Sequence, residues 1–258
     1  MRISIWVLAI SLLCLSACGG EKRVEESREE RSLSDQKALS VASLRRGNFQ
    51  QAVEDINKAE EINPKDPDVH LIKGVIYFAL KDYKQSEASY RRAIELKPGY
   101  SEARYNLCGL YLTTGNLDGA IDQCSKAASD VVYKSRVNAL TSLGTAYFRK
   151  GDIDKAKTYY EQALEINPAF VFTHNELGKL YMATGKQQEA IEEFKRAVEG
   201  YDLYDEAHYN LALAYLKVGK REEACESFQK VAKISPNSAL GVNARSYMSS
   251  ICNHSSDR

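Results

Sequence analysis

A spacing of 34 residues runs through most of this chain and dictates what it can fold into. Small residues recur at Ala52, Ser86, Ala120, Ala156, Ala190 and Ala224, in steps of 34 with a single step of 36. A second ladder lies seven positions further on, at Ala59, Ala93, Ala127, Ala163, Ala197 and Val231. Gly47, Gly115, Gly151, Gly185 and Gly219 stand five residues before the first ladder, with Lys81 in the remaining slot. Pro64, Pro98, Pro168 and Pro236 close four of the units. A period of this length marks one supersecondary unit stacked on copies of itself. Each unit reads as two amphipathic helices joined at the turn residue. The small residues let the helix axes approach, larger apolar side chains fill the space between them, and the proline stops the second helix.

Two units carry the pattern best: Leu143-Gly144-x-x-Tyr147 with Ala156 and Tyr160, and Leu177-Gly178-x-x-Tyr181 with Ala190 and Phe194. They resemble the tetratricopeptide repeat. The resemblance implies an all-α fold, a right-handed superhelical solenoid of six helix pairs. The units are 33–66, 67–100, 101–134, 137–170, 171–204 and 205–238. The first departs most, with Gln36, Ser40 and Ser43 in packing slots, as capping repeats at a terminus do. Residues 239–252 read as a capping helix and 253–258 as a tail.

The N-terminus reads as an address. Arg2 precedes an apolar stretch from Ile3 to Leu15, too short to span a hydrocarbon core of ~30 Å. Residues 1–17 are therefore expected to be a signal peptide. Leu15-Ser16-Ala17-Cys18 resembles the bacterial lipobox, which makes Cys18 the acylated first residue of the mature chain. The alternative is an ordinary secretory signal beside an unmodified cysteine. Gly19 departs from the aspartate of an inner-membrane retention signal, so the resemblance implies a lipid-anchored protein on the periplasmic face of the outer membrane. Residues 18–32 are rich in charge and read as a solvated tether.

Lys and Arg number 35, as do Asp and Glu, giving a formal net charge of zero. That argues against a nucleic-acid partner. His70, His174 and His208 share the fourth slot of their units and read as partly buried core histidines. Without a ligand cluster, a phosphate loop or a nucleophile motif, neither metal, cofactor nor catalytic residue is expected, and the chain is not read as an enzyme. Cys108 and Cys124 replace a small residue and an aromatic in facing slots of the third unit, which favours a disulfide over two buried thiols. Cys225 and Cys252 are a second candidate pair, able to staple the capping helix, though their slots alone do not establish it.

By the repeat's usual geometry the first helices line a groove. The candidate partner-binding residues are Leu71, Val75, Phe78, Tyr105, Leu112, Thr145, Phe148, Lys179 and Met182, with part of this stripe expected to be core. The mixture is mostly apolar and suits an amphipathic or extended apolar segment of another protein. It does not suit a groove that clamps a carboxylate.

The step between the third and fourth units is two residues too long. Ala127 to Arg136, reading A-A-S-D-V-V-Y-K-S-R, is similar to the junction at the same place in the type IV pilus biogenesis and stability lipoproteins. Asp130, Tyr133 and Arg136 match that pattern as junction-shaping residues, with Asp130 and Arg136 able to pair across the extra turn; the alternative is a two-residue loop insertion of no consequence. The resemblance implies a pilotin-like role, in which a monomeric lipoprotein binds the outer-membrane secretin and assists its assembly. The competing reading is a periplasmic lipoprotein adaptor for peptidoglycan enzymes or another envelope assembly machine.

Overall fold

The computed structural model describes residues 28–252, all of them in helices and the loops between, with no strand among them. Residues 1–27, which hold the expected signal peptide, Cys18 and most of the expected tether, and residues 253–258 lie outside the described residues. Among the described residues thirteen helices follow one another. The first, α1, covers 28–45. It is followed by α2 (Phe49–Ile62), α3 (Pro67–Ala79), α4 (Tyr83–Leu96), α5 (Ser101–Thr114), α6 (Leu117–Ser129) and α7 (Arg136–Lys150). Then come α8 (Ile153–Ile166), α9 (Val171–Ala183), α10 (Gln187–Gly200), α11 (Asp205–Lys217), α12 (Arg221–Ile234) and α13 (Ala239–Ile251). The chain divides into two compact units, one ending at Leu110 and the other beginning at Tyr111.

The two alanine ladders are the contact lines within helix pairs. Ala52, Ala120, Ala156, Ala190 and Ala224 are wholly buried, and so is every member of the second ladder. Ser86 is equally buried, and its hydroxyl donates to the Gly74 carbonyl at 2.8 Å. A hydroxyl is tolerated there because it finds an acceptor on the facing helix.

Each turn within a pair needs one residue in the left-handed region. Gly47, Gly115, Gly151, Gly185 and Gly219 have φ between 75° and 87°. Lys81 adopts φ 61° in the same place, and a side chain there is strained. Lys81→Gly should therefore raise stability by about 1 kcal/mol, read as a higher urea midpoint with an unchanged slope. Side-chain caps start the second helices: Asn48, Asp82, Asn116 and Asp152 each accept from the backbone N–H three residues on.

In the first unit Ala52, Ile56, Ala59, Val69 and Ile76 form a core, flanked by Leu33, Leu44, Val53 and Ile72. The second unit has three clusters, centred on Tyr160 with Leu177 and Leu180, on Phe194 with Ile191 and Leu211, and on Phe228 with Val231 and Ala244. Within this unit α9 touches both α7 and α11, whereas α8, α10 and α12 make no contact with one another. The first helices thus form the tighter layer.

Candidate binding surface

In the first unit a cleft of about 660 Å³ lies between α1 and α3. Lys37, Ala38, Val41, Ala42 and Arg45 of α1 form one wall, and Asp68, Leu71 and Ile72 of α3 form the other, with Tyr100 beside them. Its lining is mainly apolar. At one end Lys37 Nζ sits 2.9 Å from Asp66 Oδ2 and 3.7 Å from Asp68 Oδ2. The Tyr100 hydroxyl donates to Asp68 Oδ1 at 2.5 Å. Burial raises the Asp66 carboxyl, but Lys37 and two backbone N–H groups outweigh it and hold Asp66 below the usual range. Burial and the Asp68 carboxylate both push the Tyr100 phenol up, so it remains a donor. This fixed polar cluster leaves Arg45, exposed, as the cation at the other end.

Of the expected groove residues only Leu71 lines this cleft, and it is mostly covered. Val75, Phe78 and Tyr105 are half-buried in the same unit. The α1 wall was missed. Val41 and Arg45 occupy the ninth and thirteenth slots of the first repeat, so the slot rule applied to that atypical unit would have found them.

The second unit departs from the expectation of an apolar groove. Lys179 Nζ lies between Glu176 Oε1 at 2.7 Å and Glu206 Oε1 at 3.2 Å. Burial would lower the Lys179 pKa, but the two carboxylates carry it above its ordinary value. Thr145 Oγ1 sits 3.2 Å from the Tyr160 hydroxyl and 3.4 Å from Glu176 Oε2. Asn175, another first-helix position, is wholly buried, donating to the Tyr204 hydroxyl and accepting from Asn210. Phe148 and Met182 pack against core clusters. Leu112 is half-buried, and its carbonyl accepts from Arg149 Nη1. The layer formed by α7, α9 and α11 is therefore a network of paired polar groups. Slot position alone did not reveal this: Glu206 stands in a groove-facing slot, the second of its unit, but Glu176 stands in the sixth, outside those slots, and only folding brings Glu206 to Lys179.

At the junction, Asp130 caps the end of α6, its Oδ1 accepting from the Val132 N–H at 3.1 Å. Arg136 makes a different bond from the pairing with Asp130 that the sequence allows. The Arg136 Nε–H donates to the Ala128 carbonyl at 2.8 Å, so Arg136 ties the loop to the last turn of α6. Tyr133 is half-buried, and its carbonyl accepts from the Arg136 N–H.

The three slot-four histidines are buried, and each also does the same job. A ring nitrogen meets a carbonyl six residues upstream: His70 Nε2 to Pro64 at 2.8 Å, His174 Nε2 to Pro168 at 2.9 Å, and His208 Nε2 to Asp202 at 2.9 Å. This ties the loop between repeats to the following helix. His174 Nδ1 also faces Glu193 Oε2 at 2.6 Å, with Arg196 on the other carboxylate oxygen. Burial would depress the His174 pKa, but the bonds to Glu193 and to the Pro168 carbonyl raise it. His208 has no such carboxylate bond, and burial lowers its pKa. A raised histidine stabilises fully below the unfolded value of about 6.5 and loses that contribution as pH climbs through the folded value. His208 acts oppositely, because protonating it as pH falls below about 6.5 costs stability. Glu193→Gln should thus remove the part of stability that declines on the alkaline side. The check is the urea midpoint against pH for both proteins, and an unchanged profile would refute the assignment.

Cys225 and Cys252 are disulfide-bonded, with Cα atoms 5.9 Å apart, joining α12 to the end of α13. Cys108, in the first unit, and Cys124, in the second, are wholly buried, and each is disulfide-bonded. No group of three or more potential metal ligands occurs among the described residues.

Tetratricopeptide-repeat family models match residues 38–101, 77–142, 137–170, 159–192, 178–219 and 205–238. With the helix pairs, turn glycines and buried ladders, they place the chain in the tetratricopeptide-repeat family. It is similar to the type IV pilus assembly protein PilF of Pseudomonas aeruginosa, 24% identical over 164 residues, covering 63% of this chain and 65% of that protein. It is also similar to anaphase-promoting complex subunit 3 of Schizosaccharomyces pombe, 29% identical over 117 residues, 45% of this chain and 17% of that one. The chain thus spans less than two thirds of either relative. Among solved structures, that of PilW, a widely conserved type IV pilus biogenesis factor, matches with a TM-score of 0.73 at 21% identity, covering 83% of this chain and 98% of the other. The Pseudomonas aeruginosa PilF structure matches with a TM-score of 0.71 at 19% identity, covering 84% and 98%.

Proposed function

We propose that this chain is a non-enzymatic, protein-binding scaffold of type IV pilus biogenesis. In this reading acyl chains on Cys18 hold it at the periplasmic face of the outer membrane, and it binds a segment of the secretin. The observation that carries the reading is the apolar cleft between α1 and α3, in a chain similar to PilF along 63% of its length. An apolar floor with Arg45 free at one end suits an amphipathic segment carrying an acidic residue, which would otherwise aggregate. The oxidised cysteines favour a compartment outside the cytosol. The Cys108–Cys124 pairing belongs to this reading.

Ala38 and Ala42 are the residues to change, since neither is fully buried and both line the cleft. Ala38→Glu with Ala42→Glu should weaken secretin co-purification about tenfold or more, with the helical circular dichroism intact. Undiminished capture by that double variant would remove the cleft from the mechanism. Cys18→Ser should release the protein from membranes without altering the cleft, which separates anchoring from binding.

A further inference from the structure

The second unit exposes most of its large apolar side chains along one edge, interspersed with a few charges, and most of its turn cations along the other. Each first helix is reached through an antiparallel second helix, so α7, α9 and α11 run in the same sense. The loops after α6, α8 and α10 therefore share one edge, and the turns within the pairs share the other. The loop edge exposes Val131 (75%), Val132 (84%), Ile166, Phe172 (47%), Tyr201 and Leu203 (60%). Not one residue from Ile166 to Phe172 is charged. The rings are continuous across two loops: Phe170 and Phe172 centroids are 5.4 Å apart, Phe172 and Tyr204 5.2 Å, and Tyr201 and Tyr204 6.3 Å. The turn edge instead carries Arg149, Lys150, Asp152, Lys186, Lys217 and Lys220. The loop after α8 is the uncharged one; those after α6 and α10 carry Asp130, Lys134 and Asp202, the last paired with Lys230, as the equivalent loops of the first unit carry Lys65, Asp66 and Lys97.

We propose that this loop edge seats on a lipid bilayer, with its aromatic and aliphatic tips entering the interfacial layer. The high exposures mean that these side chains project outward and have no facing wall that could hold a peptide. A fluid surface needs no matching shape. Tyr201, with an exposed apolar ring and a polar tip, suits the bilayer interface, whereas the Tyr204 hydroxyl is held inside by Asn175. The edge lacks a basic cluster, so insertion of apolar groups, and not attraction to anionic headgroups, supplies the binding. One shallow contact of this kind is weak. Beside a lipid anchor it is a second attachment that sets how the repeats face the membrane, although the edge itself does not depend on Cys18.

The chain has one tryptophan, Trp6, so a single reporter can be placed at will. Full-length protein with Trp6→Phe and Phe172→Trp carries it on the loop edge, and Trp6→Phe with Val218→Trp carries it on the turn edge. Each is mixed with vesicles of phosphatidylethanolamine and phosphatidylglycerol, with or without brominated acyl chains, and floated. The expected result is blue-shifted, bromine-quenched emission from the Phe172→Trp protein alone, insensitive to salt. Adding Val132→Asp and Leu203→Asp, both at exposed sites, should cut that quenching about tenfold while circular dichroism is unchanged. The proposal is overturned by equal quenching at both edges, by flotation without quenching, by no flotation, or by loss of quenching in high salt. A shift that requires another envelope protein would reassign the edge to a protein partner.

Discussion

Phe194→Ala should cost about 3–5 kcal/mol and unravel the fifth helix pair ahead of its neighbours. Phe194 is wholly buried at the centre of a second-unit cluster. Its ring lies over Gly178 on α9, where an added Cβ would come within 2.5 Å of it. Substituting alanine for glycine inside a helix ordinarily gains about 1 kcal/mol. At Gly178 the sign should reverse, because the Phe194 ring has no room to yield and overpacking costs about 1–3 kcal/mol. Combining Gly178→Ala with Phe194→Leu should cost less than the sum of the two. Hydrogen exchange along a urea series is the measurement, since a stacked array need not unfold in one step. A gain in stability from Gly178→Ala alone would refute the packing account. The same arrangement recurs where Tyr90 covers Gly74 and Tyr160 covers Gly144.

Reducing the Cys225–Cys252 bond, or replacing both residues by serine, should free α13 and cost about 3–4 kcal/mol by the chain-entropy argument. The bond closes a separation of 27 residues. Helix α13 buries Ala244, and Tyr247 stacks on Phe228 with ring centroids 4.8 Å apart. Without the bond the last repeat loses its cover, and exchange of the α13 amides should quicken while those of α9 are unaffected. Exchange unchanged on reduction would show that packing alone holds the helix. Counting thiols in the denatured, unreduced protein tests both bridges at once, with none expected from Cys108, Cys124, Cys225 or Cys252.

The helices, their order and the contact lines between them were legible in the amino-acid sequence. The 34-residue period marks where small residues must recur, and Ala156, Ala163, Ala190 and Ala197 are indeed wholly buried. Lys81 stood out as the odd turn residue, and its backbone is left-handed like that of the glycines it replaces. Such features are local or repeat at fixed intervals, so a single chain displays them. The character of the surfaces depends instead on residues far apart in sequence. Glu176 lies one helical turn before Lys179 in the sequence, but only folding sets a second carboxylate, Glu206, beside it from 27 positions away. Arg136 and Asp130 are close in sequence and of opposite charge, yet the helix end offers Arg136 the Ala128 carbonyl instead. The cysteines at 225 and 252 carried no slot signal, and only the docking of α13 on α12 brings their Cα atoms to 5.9 Å. Periodicity alone thus determined a stacked array of helix pairs. Tertiary packing decided which of its faces are apolar, paired or stapled, because those properties belong to neighbours that the chain order does not make adjacent.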